Sequence, residues 1–514
     1  MENFGMFILS LLPILWLVFA LLVLKMQAHY ASIGAFVIAL LIALTVFGMN
    51  VNDAFLATLE GIAMAVWPIV LVIIAAVFTY NLTVYSKSMN IIKSLLTSVS
   101  GDIRILVLLI GWCFGGFLEG MAGFGTAIAI PASMLVGLGL NPVTAIIACL
   151  LANGTPTPFG SIGIPTVTLA NLVGLDAQNL AFAYSLQSAA FMFLCPYLMV
   201  MVSGKSFKSL KGVMGITTIS SLSFVLPVIL VSKYVGAELS VVVASVSSLA
   251  FTFGYAYLTK SKHNTETEYK VEVPENNQKI TLKSGLKAVS SFLLIFVFLL
   301  LTSKLFPVIH EPLSSIKTTV KFYDNYTFTW INTPGMLILI AAIIGGIIQG
   351  CKLNDFLTVM KQTLIQMSKT IVTMLSVLCC AKVMGYSGMI SAIALFFVST
   401  LGSYYPLVAP LIGCIGTFVT GSGTSSSVLF GNVQLQAAAA IECDPVWLVA
   451  ANSLGVAAGK MISPQSIAIG CAACNISGKD GEILGKIVRY AFIFLIFMAL
   501  VIYFGEPVYT RLFA

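Results

Sequence analysis

The chain has 514 residues, 59% of them hydrophobic and 9% charged, with a mean hydropathy of +1.02 and a formal net charge of +7. Soluble domains carry about 25% charged residues, so an aqueous globule is excluded. The positive balance does not point to nucleic acid either, because most Lys and Arg fall in short loops, where they report membrane orientation.

Apolar stretches close to the roughly 20 residues that cross a bilayer recur at 5–24, 31–49, 61–82, 105–117, 180–202, 216–231, 239–258, 286–301, 334–348 and 483–504. The first lacks a basic leader and runs at once into another span, which reads as a retained helix rather than a cleaved signal peptide. The expected fold is an all-α polytopic membrane protein with about 12 crossing helices, plus re-entrant or broken ones. Ten cysteines include Cys379-Cys380 and Cys471-Ala-Ala-Cys474, in apolar segments without His or a second CxxC. They read as small packing residues of membrane helices, with no metal site.

Between residues 117 and 165 the apolar runs become short and are interrupted. Glu119-Gly-Met-Ala-Gly-Phe-Gly-Thr126 is followed by a run to Asn141-Pro142, then a second run to Asn153-Gly-Thr-Pro-Thr-Pro158 and Pro165. About 300 residues later the pattern returns as Gly421-Ser-Gly423-Thr424, Asp444-Pro445, Asn452-Ser453 and Pro464. The second Gly precedes the Asn by 28 residues in one copy and 29 in the other, and the Pro follows the Asn by twelve in both. These runs are expected to form re-entrant hairpins or broken helices, tolerable in a membrane only where the freed backbone lines a cavity or is buried in protein.

Charge gives the two copies opposite orientations. Residues 50–60 lack Lys and Arg, whereas the matching 351–362 carries Lys352 and Lys361. Residues 86–104 carry Lys87, Lys93 and Arg104, whereas 387–405 carries none. Residues 172–184 are again bare, whereas 478–490 carries Lys479, Lys486 and Arg489. By the positive-inside rule this predicts two inverted-topology repeats, at 1–212 and 285–514. Two linking helices and a charged cytoplasmic loop fill 213–284. Met1 and Asp53 then lie outside, and Lys25, Lys87 to Arg104, Lys205, Lys208 and Lys211 inside. The stretch 304–333 falls outside despite Lys304, Lys317 and Lys321.

Paired breaks of this kind suit a small anionic substrate, because helix N-termini offer unpaired N–H groups and a positive dipole end. The candidate binding residues are Gly123, Gly125, Thr126, Asn153, Gly421, Ser422, Gly423, Thr424, Ser425, Asn452, Lys460, Ser463 and Gln465. Charges inside membrane helices usually face protein or a cavity. Lys460 and Lys382 are therefore candidates for attracting a carboxylate, a salt bridge or a snorkelling side chain being the alternatives. Lys369 shares a span with Lys382. Glu119 is the candidate proton-coupling group, against a structural hydrogen bond. His29, His263 and His310 are expected in loops, which leaves no histidine relay. A membrane-embedded enzyme would need clustered His or acids, which the chain lacks, and a channel would not need duplicated half-helices.

Glu119 to Thr126, Gly137-Leu-Gly-Leu-Asn-Pro142, Gly160-Ser-Ile-Gly-Ile-Pro165 and Gly459-Lys-Met-Ile-Ser-Pro-Gln-Ser466 resemble the bacterial L-lactate permease family, and the likeness covers essentially the whole chain. Family members often carry Asn where Ser427 stands, and relatives can carry Asn in place of Lys460. The resemblance implies import of L-lactate, with D-lactate and glycolate, across the cytoplasmic membrane by proton symport, on a plan similar to the ion transporter superfamily. It implies no cofactor beyond H+ as coupling ion. The alternative is a carrier of another small carboxylate, dicarboxylate or sodium-coupled, on the same fold. The partners are thus a small monocarboxylate and the lipid bilayer, with no nucleic acid.

Overall fold

The structure is a computed structural model that describes residues 2–24, 26–97, 99–123, 125–259, 267–271, 281–303, 305–476 and 479–513. The expectations placed on Met1, Lys25, Lys304, His263 and most of the charged stretch 260–284 lie outside the described residues. Among the described residues, twelve helices are long and apolar enough to cross a membrane.

In chain order, the first nine helices are α1 (Glu2–Leu22), α2 (Ala28–Thr45), α3 (Val51–Tyr85), α4 (Ser88–Thr97), α5 (Ile103–Met121), α6 (Thr126–Gly137), α7 (Pro142–Gly154), α8 (Thr157–Val173) and α9 (Ala177–Ser203). Two further helices, α10 (Met214–Tyr234) and α11 (Ala237–Thr259), follow. Then come α12 (Leu282–Leu301), the short α13 (Pro307–Ser315) and an exposed antiparallel hairpin, β1 (Lys317–Lys321) with β2 (Asn325–Thr329). The last helices are α14 (Pro334–Gln349), α15 (Leu353–Ser387), α16 (Met389–Leu401), α17 (Tyr405–Thr420), α18 (Gly423–Ile441), α19 (Pro445–Ile462), α20 (Pro464–Ala473) and α21 (Asp480–Phe513). The hairpin is the one departure from the all-helical expectation among the described residues.

Local sequence explains the ends. Asn141 and Asp444 each accept the backbone N–H three residues on, with Pro142 and Pro445 in the first helical position, so α7 and α19 start alike. Within α3, Trp67 leaves the helical region (φ −132, ψ 114) just before Pro68, as expected where proline disfavours the helical region for the residue before it. Leu222, Leu226 and Leu230 on α10 stay exposed at four-residue spacing, an apolar stripe that faces lipid. Small residues serve the interior. A side chain at Gly61 would strike the backbone of Cys379, and one at Gly345 that of Ser291, the close helix approach that membrane interfaces favour.

The packing is reciprocal. α2 lies on α15 while α14 lies on α3; α1 lies on α16 while α12 lies on α4; α8 lies on α18 while α20 lies on α6; and α7 meets α19. α3 and α15 are both 35 residues long. Thr58 and Glu60 of α3 meet Cys379 and Lys382, whereas Asn81 and Tyr85 meet Thr363 and Asp355. Rising numbers on one helix meet falling numbers on the other, so the two run antiparallel.

One cation expected in a loop lies instead in the first turn of α5 and behaves unlike a surface charge. Arg104 is 2% exposed, forks onto Asp102 at 2.8 Å, donates to the carbonyls of Ser209 and Lys211, and lies 4.0 Å from the centre of the Tyr269 ring. It staples three loops together.

Candidate functional site

The interrupted segments of both copies meet around one cavity of about 620 Å³. In the first copy the chain breaks between α5 and α6, where Gly123 and Gly125 take positive φ (61° and 85°). It breaks again inside α8, where Ser161, Ile162 and Gly163 are left-handed in succession; α7 and α8 are bent by 60°. In the second copy Gly421 (φ 68°) separates α17 from α18. The chain then turns at Ser463, whose side chain caps α20 ahead of Pro464.

The glycines divide by what they face. A side chain at Gly123 would strike Ser161 Oγ, and one at Gly421 would strike Gln465, both within the same copy. The second glycine of each pair faces the other copy. A Cβ at Gly125 would lie 2.6 Å from Ile469 of α20, and a Cβ at Gly423 would lie 3.0 Å from Thr157 of α8 and 2.9 Å from Val456. The approach of each glycine backbone to a side chain of the other copy therefore depends on the missing Cβ.

Of the candidate binding residues, Gly123, Gly421, Ser422, Gly423, Thr424, Lys460 and Gln465 line the cavity, as does Glu119. Lys460, in the last turn of α19, is 7% exposed, and its Nζ donates to the Gly421 carbonyl at 3.1 Å. Glu119, in the last turn of α5, is 3% exposed and accepts from Asn153 Nδ2 at 2.8 Å. The first residues of α18 and α20, and the point where α8 resumes at Ile164 and Pro165, also face the cavity. Three helix starts thus bring positive dipole ends to a cavity that Lys460 and Lys369 also line.

The remaining candidates stand behind the wall. Thr126 donates its hydroxyl to the Gly123 carbonyl, Asn153 holds Glu119, Ser463 caps α20, and the Ser425 amide donates to Ser422 Oγ. Gly125 backs Ile469, which lines the cavity. Asn452 departs from the expectation of a break: α19 runs through it without interruption, it is fully buried, and neither atom of its amide has a protein partner. α18 and α19, with 19 and 18 residues, are likewise longer than the short runs expected there; without an internal Gly-Thr-Pro they have no reason to stop early.

Several residues outside the candidate set also enter. Thr157, Gly160 and Ser161 line the cavity beside Glu119, and Ser161 Oγ donates to the Ala122 carbonyl. Lys369 reaches it from α15. His29 is not in a loop but in the first turn of α2, where it lines the mouth, and His310 sits in α13 bonded to the Thr302 carbonyl. Lys382 lies elsewhere, paired at 2.7 Å with Glu60, so its salt-bridge alternative holds. In the sequence Glu60 only precedes the apolar stretch 61–82, with nothing to mark its partner. No group of three or more His, Cys, Asp or Glu with metal-ligand proximity occurs among the described residues.

A multi-pass bundle whose interrupted helices wall a polar cavity belongs to the membrane transporters. The chain belongs to the L-lactate permease family, whose profile matches residues 6–509. It is 43% identical to an L-lactate permease of Streptococcus iniae, over 87% of this chain and 94% of that one. It is 32% identical to the glycolate permease GlcA of Escherichia coli K12, over 98% of this chain and 96% of that one. In fold it is similar to MtrF of Neisseria gonorrhoeae, described as illuminating a class of antimetabolite efflux pumps, with a TM-score of 0.51 at 12% identity, over 93% of this chain and 95% of that one. The protein is thus a permease rather than an enzyme, integral to the membrane and multi-pass, which in bacteria is the plasma membrane.

Proposed function

We propose that the chain imports L-lactate, together with D-lactate and glycolate, one anion with one proton, by alternating access between inverted halves. The substrate class is supported by the permease relatives named above. The halves are 1–212 and 285–514, joined by 213–284. Their inversion is supported by the loop charges and by the antiparallel run of α3 against α15, helices at matching places in the two copies.

The observation that carries the reading is the single cavity that holds Lys460 and three helix N-termini together with the buried acid Glu119. The carboxylate of the substrate lies at Gly421 to Thr424 within reach of Lys460, and Gln465 and Gly123 bound the space for the rest of the molecule. Glu119 carries the proton. A proton and a monoanion together move no net charge, so uptake into proteoliposomes follows an inward proton gradient and ignores an imposed voltage. Voltage-driven uptake at fixed pH, or dependence on sodium after replacement by choline, would refute the coupling. Competition among lactate, glycolate, malate and acetate tests the substrate; malate as the strongest competitor would refute the monocarboxylate reading.

A further inference from the structure

A second cavity, of about 810 Å³, lies against the other stretch of the long helices and takes no part in the site above. The two cavities use matching elements. Met64, Trp67 and Pro68 of α3 wall the second, and Met367, Lys369 and Thr370 of α15 wall the first. The start of α14 borders the second and the start of α2 borders the first. What differs is the connection leading into those helices. Residues 23–27 suffice before α2, whereas 302–333 precede α14 and carry the hairpin, whose Asp324, Tyr326 and Thr327 line the second cavity.

The hairpin is held by a compact set of contacts. The Asp324 amide donates to Glu60 Oε2 at 3.0 Å, while Lys382 Nζ and Tyr386 OH each donate to Glu60 Oε1 at 2.7 Å. Tyr386 OH also reaches Asp324 Oδ2 at 3.3 Å, and its ring stacks on Tyr323 at 4.1 Å. Tyr326 OH donates to the Trp67 carbonyl, and Trp67 Nε1 to that of Thr329 at 2.9 Å. β1 is exposed along its whole length, and a lone two-stranded hairpin is marginal by itself. Its position therefore depends on Glu60 and Trp67 from one long helix and Tyr386 from the other. At the matching point near the other end of these helices, Asn81 bridges Thr363 and Gln366 with uncharged groups.

We propose that the β1–β2 hairpin is a gate over the second cavity and that Glu60, Lys382 and Tyr386 form the catch that keeps it shut. Opening this side separates α3 from α15 here, which breaks the Glu60–Lys382 pair and frees the hairpin together. The opposite side opens by breaking the Asn81 contacts and the Tyr85–Asp355 hydrogen bond.

A cysteine in place of Met64, which lines the second cavity and is 3% exposed, reports the gate. Cys351 and Cys443, the native cysteines that are not fully buried, are first changed to Ser. The full chain in liposomes is then labelled with a membrane-impermeant maleimide. Lys382→Met raises the labelling rate by about tenfold or more, because breaking one partner of a buried pair strongly favours the separated state. Tyr386→Phe, which keeps the ring and is expected to fold even where Lys382→Met does not, gives a smaller rise in the same direction. Asn81→Ala leaves the rate unchanged. Unaltered labelling in Tyr386→Phe and Lys382→Met, or an equal rise in Asn81→Ala, overturns the gate. Labelling needs neither lactate nor a proton gradient, so this outcome is independent of the transport reading.

Discussion

The two broken segments share a plan and differ in chemistry. In the first, α7 ends at Gly154, α8 carries three left-handed residues, and the acid Glu119 is packed against them; a Cβ on Gly160 would lie 2.7 Å from Glu119 Oε1. In the second, α19 continues through Asn452 to Lys460, and α20 begins on a Ser cap and a Pro. An irregular backbone thus surrounds the acid and regular helix ends surround the base. A charge at the centre of a membrane helix costs about 2.5 to 3.5 kcal/mol on insertion scales, so each must be offset by its surroundings or retained for its use. The proposed proton site thus falls in the irregular segment and the proposed anion seat among the regular helix ends.

The largest effect is expected where the segments touch. Gly423→Leu puts a side chain into Thr157 and Val456, closing the cavity between copies, and abolishes both proton-driven uptake and counterflow of labelled lactate. Gly125→Leu meets the side chain of Ile469 and must also hold a leucine at φ 85°, so it too loses both activities. Wild-type counterflow in either variant would mean that its junction is not tight. Next comes Lys460→Met, which removes the cation from the proposed anion seat. Hydrogen bonds to charged groups contribute about 1.5 to 3 kcal/mol, or about 10- to 150-fold in affinity, and lactate binding measured by counterflow should weaken within that range. Unchanged affinity would place the anion elsewhere.

Glu119→Gln separates the segments by function rather than by size of effect. Proton-driven uptake falls to the level seen without a gradient, while counterflow, which needs no net proton movement, continues. Loss of both activities would make Glu119 part of the substrate seat, and survival of both would remove it from coupling.

The fold was legible because its signals are long and redundant: ten apolar stretches, Pro142 and Pro445 at helix starts, and two glycine pairs at a common spacing. Much of the cavity was legible for the same reason, since Gly123, Gly421 to Thr424 and Lys460 sit in or beside the repeated strings. What escaped depends on neighbours far along the chain. Glu60 looks like the edge of an apolar run until Lys382 and the hairpin arrive beside it. Ser161 and Thr157 look like parts of a Gly-Pro loop until α5 ends next to them. Arg104 counts as a loop charge in any sequence reading, yet its burial against Asp102 is set by carbonyls about a hundred residues away.

Asn153 and Asn452 show the same lesson on the smallest scale, because the repeat makes them equivalent and the structure does not. Asn153 donates to Glu119, so Asn153→Ala leaves a buried carboxylate oxygen without that donor. This costs about 1 to 3 kcal/mol wherever the charged form is populated, and proton-driven uptake slows while lactate affinity holds. The Asn452 amide has no protein partner to lose, and replacing an unpaired buried amide by a methyl group is close to neutral or stabilising. Asn452→Ala should therefore transport within about twofold of the parent protein and melt no lower. If the two variants instead lose activity alike, Asn452 touches something that passes through during transport, and the second segment is more than a rigid seat.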